Sequence, residues 1–105
     1  MELSQKKCQA CEGGVPAMSK EQAEELLKQV PTWKIIDWKV TKEFKFKNFL
    51  ESLNFVNKVG KVAEAEQHHP DLEFGWGYCR ITLFTHALNG LSENDFILAA
   101  KIDHI

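Results

Sequence analysis

Apolar positions recur along this chain with two different periods, and the secondary structure is expected to change where the period changes. Ala23, Leu26, Leu27 and Val30 fall on one helical face, and Ser19 with Gln22 ahead of them reads as a capping box. Pro31 stops this helix, because the residue before a proline is pushed away from helical backbone. The segments 33–37 and 38–46 then read as two strands. In the second, Trp38, Val40, Phe44 and Phe46 face one way and Lys39, Thr41, Glu43 and Lys45 the other. The turn between them contains neither Gly nor Asn, which leaves its position open. From Asn48 to about His68 the helical period returns in Phe49, Leu53, Val56, Gly60 and Ala63, flanked by Leu50, Val59 and Val62. Gly60 inside a helix costs about 1 kcal/mol against Ala, so a close approach of another element is expected there. Pro70 ends the helix at or just before His69.

A second strand pair is expected over 72–76 and 78–85, with Ile81 and Leu83 inward and Arg80, Thr82, Phe84 and His86 on the opposite face. Gly90 breaks the chain. Ser92 and Asp95 form another capping box, opening a last helix with Phe96, Ala99, Ala100 and Ile102 on it. The order α-β-β-α-β-β-α with short connections predicts a single α+β domain: a four-stranded antiparallel sheet with helices packed on one face. Residues 1–18 show no period and read as a flexible arm, leaving 19–105 as the folded domain.

Composition narrows the function classes. The chain has 105 residues, 44% of them hydrophobic and 27% charged, the profile of an ordinary globular domain. A net charge of −2 without a Lys/Arg cluster speaks against nucleic-acid binding. No apolar run approaches the roughly 20 residues that span a bilayer. The lysines at 6 and 7 have no apolar stretch behind them, so no secretory signal is read and the expected location is cytoplasmic. Three cysteines, an odd count, fit reduced thiols.

The candidate chemistry lies in the histidines. Three of four fall in two places, His68-His69 before Pro70, and His86 after Thr85. Imidazole has an ordinary pKa near 6.5, so it exchanges protons at neutral pH without a metal or cofactor. Glu64 precedes His68 by four residues and would share its helix face, supporting that ring. Pro70 turns His69 in a different direction, so the two rings can take different roles. A structural role fits the same spacing equally well, with His68 and His69 capping a helix C-terminus and His86 on the surface. Asp95 likewise has two readings, as the N3 residue of a capping box or as a carboxylate that orients His86.

Other motifs carry less. Adjacent histidines are a poor zinc pattern, so no metal is expected. Cys8-x-x-Cys11 has only Cys79 and His104 as distant partners for a four-ligand site and reads as tail cysteines. Trp76 between Gly75 and Gly77 is either an indole left exposed to stack on a flat ligand or a subunit-contact residue.

Glu64-x-x-x-His68-His69-Pro70, Trp76, Thr85-His86 and Gly90-Leu91-Ser92-x-x-Asp95 together resemble the signature of the pterin-4a-carbinolamine dehydratases. The resemblance runs from about 19 to 103 and includes Trp33, Phe44-Lys45-Phe46 and Phe49. It implies a cofactor-independent hydro-lyase that converts 4a-hydroxytetrahydropterin to quinonoid dihydropterin, recycling the pterin of an aromatic amino-acid hydroxylase such as phenylalanine hydroxylase. Carried over by position, it makes His68, His69 and His86 the catalytic set. His68 and His86 are then the acid/base pair and His69 mainly binds the pterin. Glu64 supports His68, Asp95 supports His86, and Trp76 and Thr85 join His69 in holding the substrate. It also implies a homodimer or homotetramer. Two alternatives stay beside it: a non-enzymatic dimerisation or transcriptional cofactor, and a dehydratase acting on a different pterin.

Overall fold

Two serines and an asparagine set where the three helices begin. The computed structural model describes residues 2–8 and 17–105. Helix α1, Lys20–Leu27, starts at Ser19: the Gln22 N–H donates to Ser19 Oγ at 3.2 Å and the Ser19 N–H to Gln22 Oε1 at 2.9 Å. Helix α2, Phe49–Glu66, starts at Asn48, whose side-chain oxygen accepts from the Glu51 N–H at 2.9 Å. Helix α3, Glu93–Asp103, follows Ser92, whose N–H donates to the Asp95 carboxylate at 3.0 Å. Both predicted capping boxes therefore stand at helix starts.

Strands β1 (Lys34–Ile36), β2 (Lys39–Lys45), β3 (Asp71–Gly75) and β4 (Tyr78–Leu83) form one sheet in the order β1-β2-β4-β3, antiparallel throughout. This is the predicted α+β architecture in the predicted element order. Val40, Cys79, Ile81 and Leu83 project from one face into the core, where they meet Val59 and Ala63 of α2 and Phe96, Ile97 and Leu98 of α3. Each fully buried aliphatic side chain contributes about 1.5–3 kcal/mol. Phe55 of α2 packs against Phe44 and Phe46 at centroid distances of 4.6 and 5.0 Å. At the far end of α3 the Trp33 indole N–H donates to the Asp103 carboxylate at 3.1 Å, and Lys42 Nζ donates to the same carboxylate at 2.7 Å. The other sheet face is polar: Arg80 reaches Glu43 at 2.9 Å and Glu73 at 3.5 Å across neighbouring strands. Lys45 and Arg80 hold the Glu43 carboxyl below the usual carboxylate range. Among the described residues no helix is long and apolar enough to cross a membrane.

Four expectations change. Trp38 does not lie on the inward face of β2. The register Ile36↔Lys39 leaves Asp37 and Trp38 as a two-residue turn, with φ of 51° and 61°. Such a hairpin turn requires positive φ at both positions, which Asp tolerates and Trp resists. Second, α2 ends at Glu66, because Gln67 takes a left-handed conformation with φ of 53°. Third, residues 2–8 and 17–18, the described part of the expected arm, touch the folded domain. Leu3 in a one-turn 3₁₀ helix, Leu3–Gln5, is buried in the core, and the Met18 N–H donates to the Leu91 carbonyl at 2.8 Å. Cys11 lies outside the described residues. Fourth, Gly60 faces open space, with nothing within 4 Å of the position of a Cβ. No close approach explains it, so Gly60→Ala is expected to stabilise the fold by about 0.5–1 kcal/mol, read as a higher urea midpoint.

Candidate active site

The left-handed Gln67 turns the chain out of α2 and decides where the histidines go. The His68 N–H still closes onto the Ala63 carbonyl at 3.2 Å, but the ring leaves the face of α2 that carries Glu64. It points at the first turn of α3, where His68 Nε2 lies 2.6 Å from Asp95 Oδ1. Asp95 is wholly buried. Its second oxygen, Oδ2, accepts from the Thr85 hydroxyl at 2.9 Å and from the Ser92 N–H at 3.0 Å. The Thr85 hydroxyl also lies 2.8 Å from Ser92 Oγ. A buried carboxylate is tolerable only when its lone pairs are used, and three donors use them here.

The geometry defines a tautomer. An ionised carboxylate only accepts hydrogen bonds, so His68 Nε2 must carry the proton facing Asp95. In the neutral ring Nδ1 is then a bare acceptor. A proton taken up there gives an imidazolium held against a buried carboxylate, the arrangement that suits a general base.

Glu64 pairs with His69 instead of His68, at 2.9 Å between Oε2 and Nε2. The expected i,i+4 contact fails because His68 is no longer helical. Both Glu64 and His69 are well exposed, so their attraction is worth about 0–1 kcal/mol. Asp95 keeps its capping role and orients an imidazole, but that imidazole is His68, not His86. Thr85 is buried beneath the pair, with its hydroxyl committed to Asp95 rather than facing a ligand.

His86 opens a one-turn 3₁₀ helix, His86–Leu88, closed by Asn89 at a φ of 49° and pinned by the Thr85–Gly90 bridge. Gly90 is required here: a Cβ would lie 2.6 Å from that of Ala17. The exposed His86 ring meets Phe84 edge-on at 5.2 Å, and Lys39 Nζ lies 5.4 Å from the centre of the same Phe84 ring. Because Asp71 pairs with Thr82, the entry of β3 and the exit of β4 lie at one end of the sheet. That end carries His68, His69 and His86, and Asp95 and Thr85 tie it to α3. Trp76 does not join them. It occupies the β3–β4 turn beyond the Gly75↔Tyr78 pair, 72% exposed. That is the opposite end of the hairpin, more than about 13 Å away at 3.3 Å per strand residue.

Comparison with known proteins places the chain in a family. Residues 16–105 match the family model described as pterin 4 alpha carbinolamine dehydratase. The chain belongs to the pterin-4a-carbinolamine dehydratase family. A relative in Methylococcus capsulatus, provisionally named pterin-4-alpha-carbinolamine dehydratase, is 51% identical over 105 residues, covering 98% of this chain and 92% of its own. One in Rubrobacter xylanophilus with the same provisional name is 49% identical, covering 99% and 98%. Among solved structures, a transcriptional coactivator/pterin dehydratase from Brucella melitensis superposes with a TM-score of 0.79 at 29% identity, covering 84% of this chain and 96% of that one. A pterin dehydratase-like protein described as a RuBisCO assembly factor in the alpha-carboxysome superposes at 0.60 and 25% identity, covering 70% and 87%.

The sequence reading missed the depth of the His68 environment. Thr85 and Ser92 in one network with Asp95 could have been suspected from their spacing, since residue 85 leads into the histidine and residue 92 is the N-cap. The contacts of residues 2–8 with α2 and α3 have no signal in periodicity at all.

Proposed function

We propose that the protein dehydrates 4a-hydroxytetrahydropterin to quinonoid dihydropterin. The observation that carries this reading is the 2.6 Å bond between His68 Nε2 and the buried Asp95, which leaves Nδ1 as the acceptor nitrogen at the end of the sheet that also carries His69 and His86. The reaction moves two protons. One leaves N5 of the pterin and one joins the departing 4a-hydroxyl, while the N5 lone pair drives the C–O bond open. His68, backed by Asp95, takes the first proton through Nδ1. His86, exposed and without a carboxylate partner among the described residues, delivers the second. His69 binds and orients the pterin, with Glu64 steadying it. Acid–base help of this kind contributes about 10²–10⁴-fold, enough for a reaction that proceeds slowly unaided.

The reading extends to a cytoplasmic enzyme that recycles the pterin of phenylalanine hydroxylase. It extends also to self-association, which the exposed Phe49 and Leu50 at the start of α2 support. A different pterin, or a role as a non-enzymatic interaction module, remains a separate reading; the coactivator and assembly-factor descriptions of the two structural neighbours favour the second. The test is direct. Purified protein, added to phenylalanine hydroxylase turning over a tetrahydropterin, is expected to accelerate decay of the 4a-hydroxy intermediate as seen by its ultraviolet absorbance. Decay at the uncatalysed rate would reject the enzyme reading.

A further inference from the structure

The His68–Asp95 contact joins two elements that the chain does not hold together locally. His68 follows α2 and Asp95 lies in the first turn of α3, and each needs its backbone fixed for the contact to form. A third segment reaches both. The Cys8 N–H donates to Glu66 Oε1 at 2.9 Å, and Glu66 is the last residue of α2, two before His68. Cys8 Sγ lies 3.6 Å from the carbonyl oxygen of Asn94, the residue before Asp95. Lys101, further along α3, lies 3.8 Å from Glu66 Oε2 and donates to the Ser4 carbonyl at 3.0 Å. Leu3 anchors the segment in the core.

Glu66 is the centre of this junction. Its side chain is only 10% exposed, so its charge is largely removed from water and depends on the Cys8 N–H and Lys101. Burial, with the Glu66 carboxylate alongside, pushes the Cys8 thiol up to about 12. Cys8 thus keeps its S–H, the form that can donate to the Asn94 carbonyl. The exposed Lys6–Glu93 pair at 2.9 Å adds little.

We infer that Glu66 is a positioning residue for the His68–Asp95 pair, acting through Cys8 and Lys101 to fix the end of α2 against the start of α3. Its kinetic consequence rests on the dehydratase reading. Misplacing an acid–base group by about 1 Å can cost up to about 10²-fold in rate, so Glu66→Ala is expected to lower kcat by about 10-fold and to leave KM within about 2-fold. Glu66→Gln, whose amide oxygen still accepts the Cys8 N–H, is expected to recover most of that loss. A second readout needs no substrate. Long-range ¹H–¹⁵N spectra of the wild-type protein are expected to show His68 as the single Nε2–H tautomer, and those of Glu66→Ala as a mixture. Should the wild type prove inactive, the dehydratase reading falls and the ring signals alone decide. Unchanged kcat with unchanged ring signals in Glu66→Ala overturns the inference, as does a loss that Glu66→Gln does not relieve. Where Glu66→Ala fails to fold, Cys8→Ala removes the Asn94 contact and is read the same way, with a smaller loss expected.

Discussion

Replacing His68 by Ala is expected to slow dehydration by about 10²–10⁴-fold, with kcat taking most of the loss. Among the three histidines, only the His68 ring is bonded to a buried carboxylate, which fixes the proton on Nε2 and leaves Nδ1 free. Removing it leaves Asp95 with two donors instead of three, so some stability goes as well, about 1–3 kcal/mol for the lost charge-assisted bond. His86→Ala separates the two effects. That ring is exposed, so the rate should fall while the urea midpoint stays close to wild type. Single-turnover decay of the 4a-hydroxy pterin, measured beside urea unfolding curves, reads both. Full activity in His68→Ala would remove the assigned base.

Asp95 is the position where stability and activity should fall together. Asp95→Ala removes the acceptor of the His68 ring N–H and of the Ser92 N–H and leaves the Thr85 hydroxyl only Ser92 Oγ, and a loss of about 2–4 kcal/mol is expected. Asp95→Asn is the sharper variant. The Ser92 N–H can only donate, so the amide oxygen must take the place of Oδ2. The amide nitrogen then replaces Oδ1 and faces His68. Because that nitrogen donates, Nε2 must accept and the ring proton moves to Nδ1. The group assigned as base is then blocked with little change in shape. Activity should fall about 10²–10⁴-fold, with a much smaller stability loss than in the Ala variant. Equal rates for Asp95→Asn and wild type would show that the tautomer does not matter to the reaction.

The fold was largely legible because its signals are local. Capping at Ser19 and Ser92, the alternation through β2 and β4, and Pro31 all act within a few residues, and each marked its element. The site was legible as a set of residue types but not as a set of contacts. Glu64 and His68 have helical spacing, yet one left-handed residue between them, Gln67, reassigns the carboxylate to His69 and frees His68 for Asp95. Nothing in the identity of residue 67 announces that conformation, since Gln seldom adopts it unaided. Trp76 lies at the turn end of the β3–β4 hairpin, opposite the histidines, so within one chain the flanking glycines mark a turn and not a wall of the histidine cluster.

By itself the sequence determined the element order, most of the inward faces and the residue types from which the proposed acid–base groups are drawn, because these follow from periodicity, capping and side-chain chemistry at short range. Only the tertiary structure decided which carboxylate serves which imidazole, that Thr85 is buried beneath the pair, and that residues 2–8 brace it. Apart from the local Glu64–His69 pair, those outcomes depend on hydrogen bonds 2.6–2.9 Å long between groups 10–58 residues apart. At that range direction is set by how helices and sheet pack, and the local pattern holds no information about it.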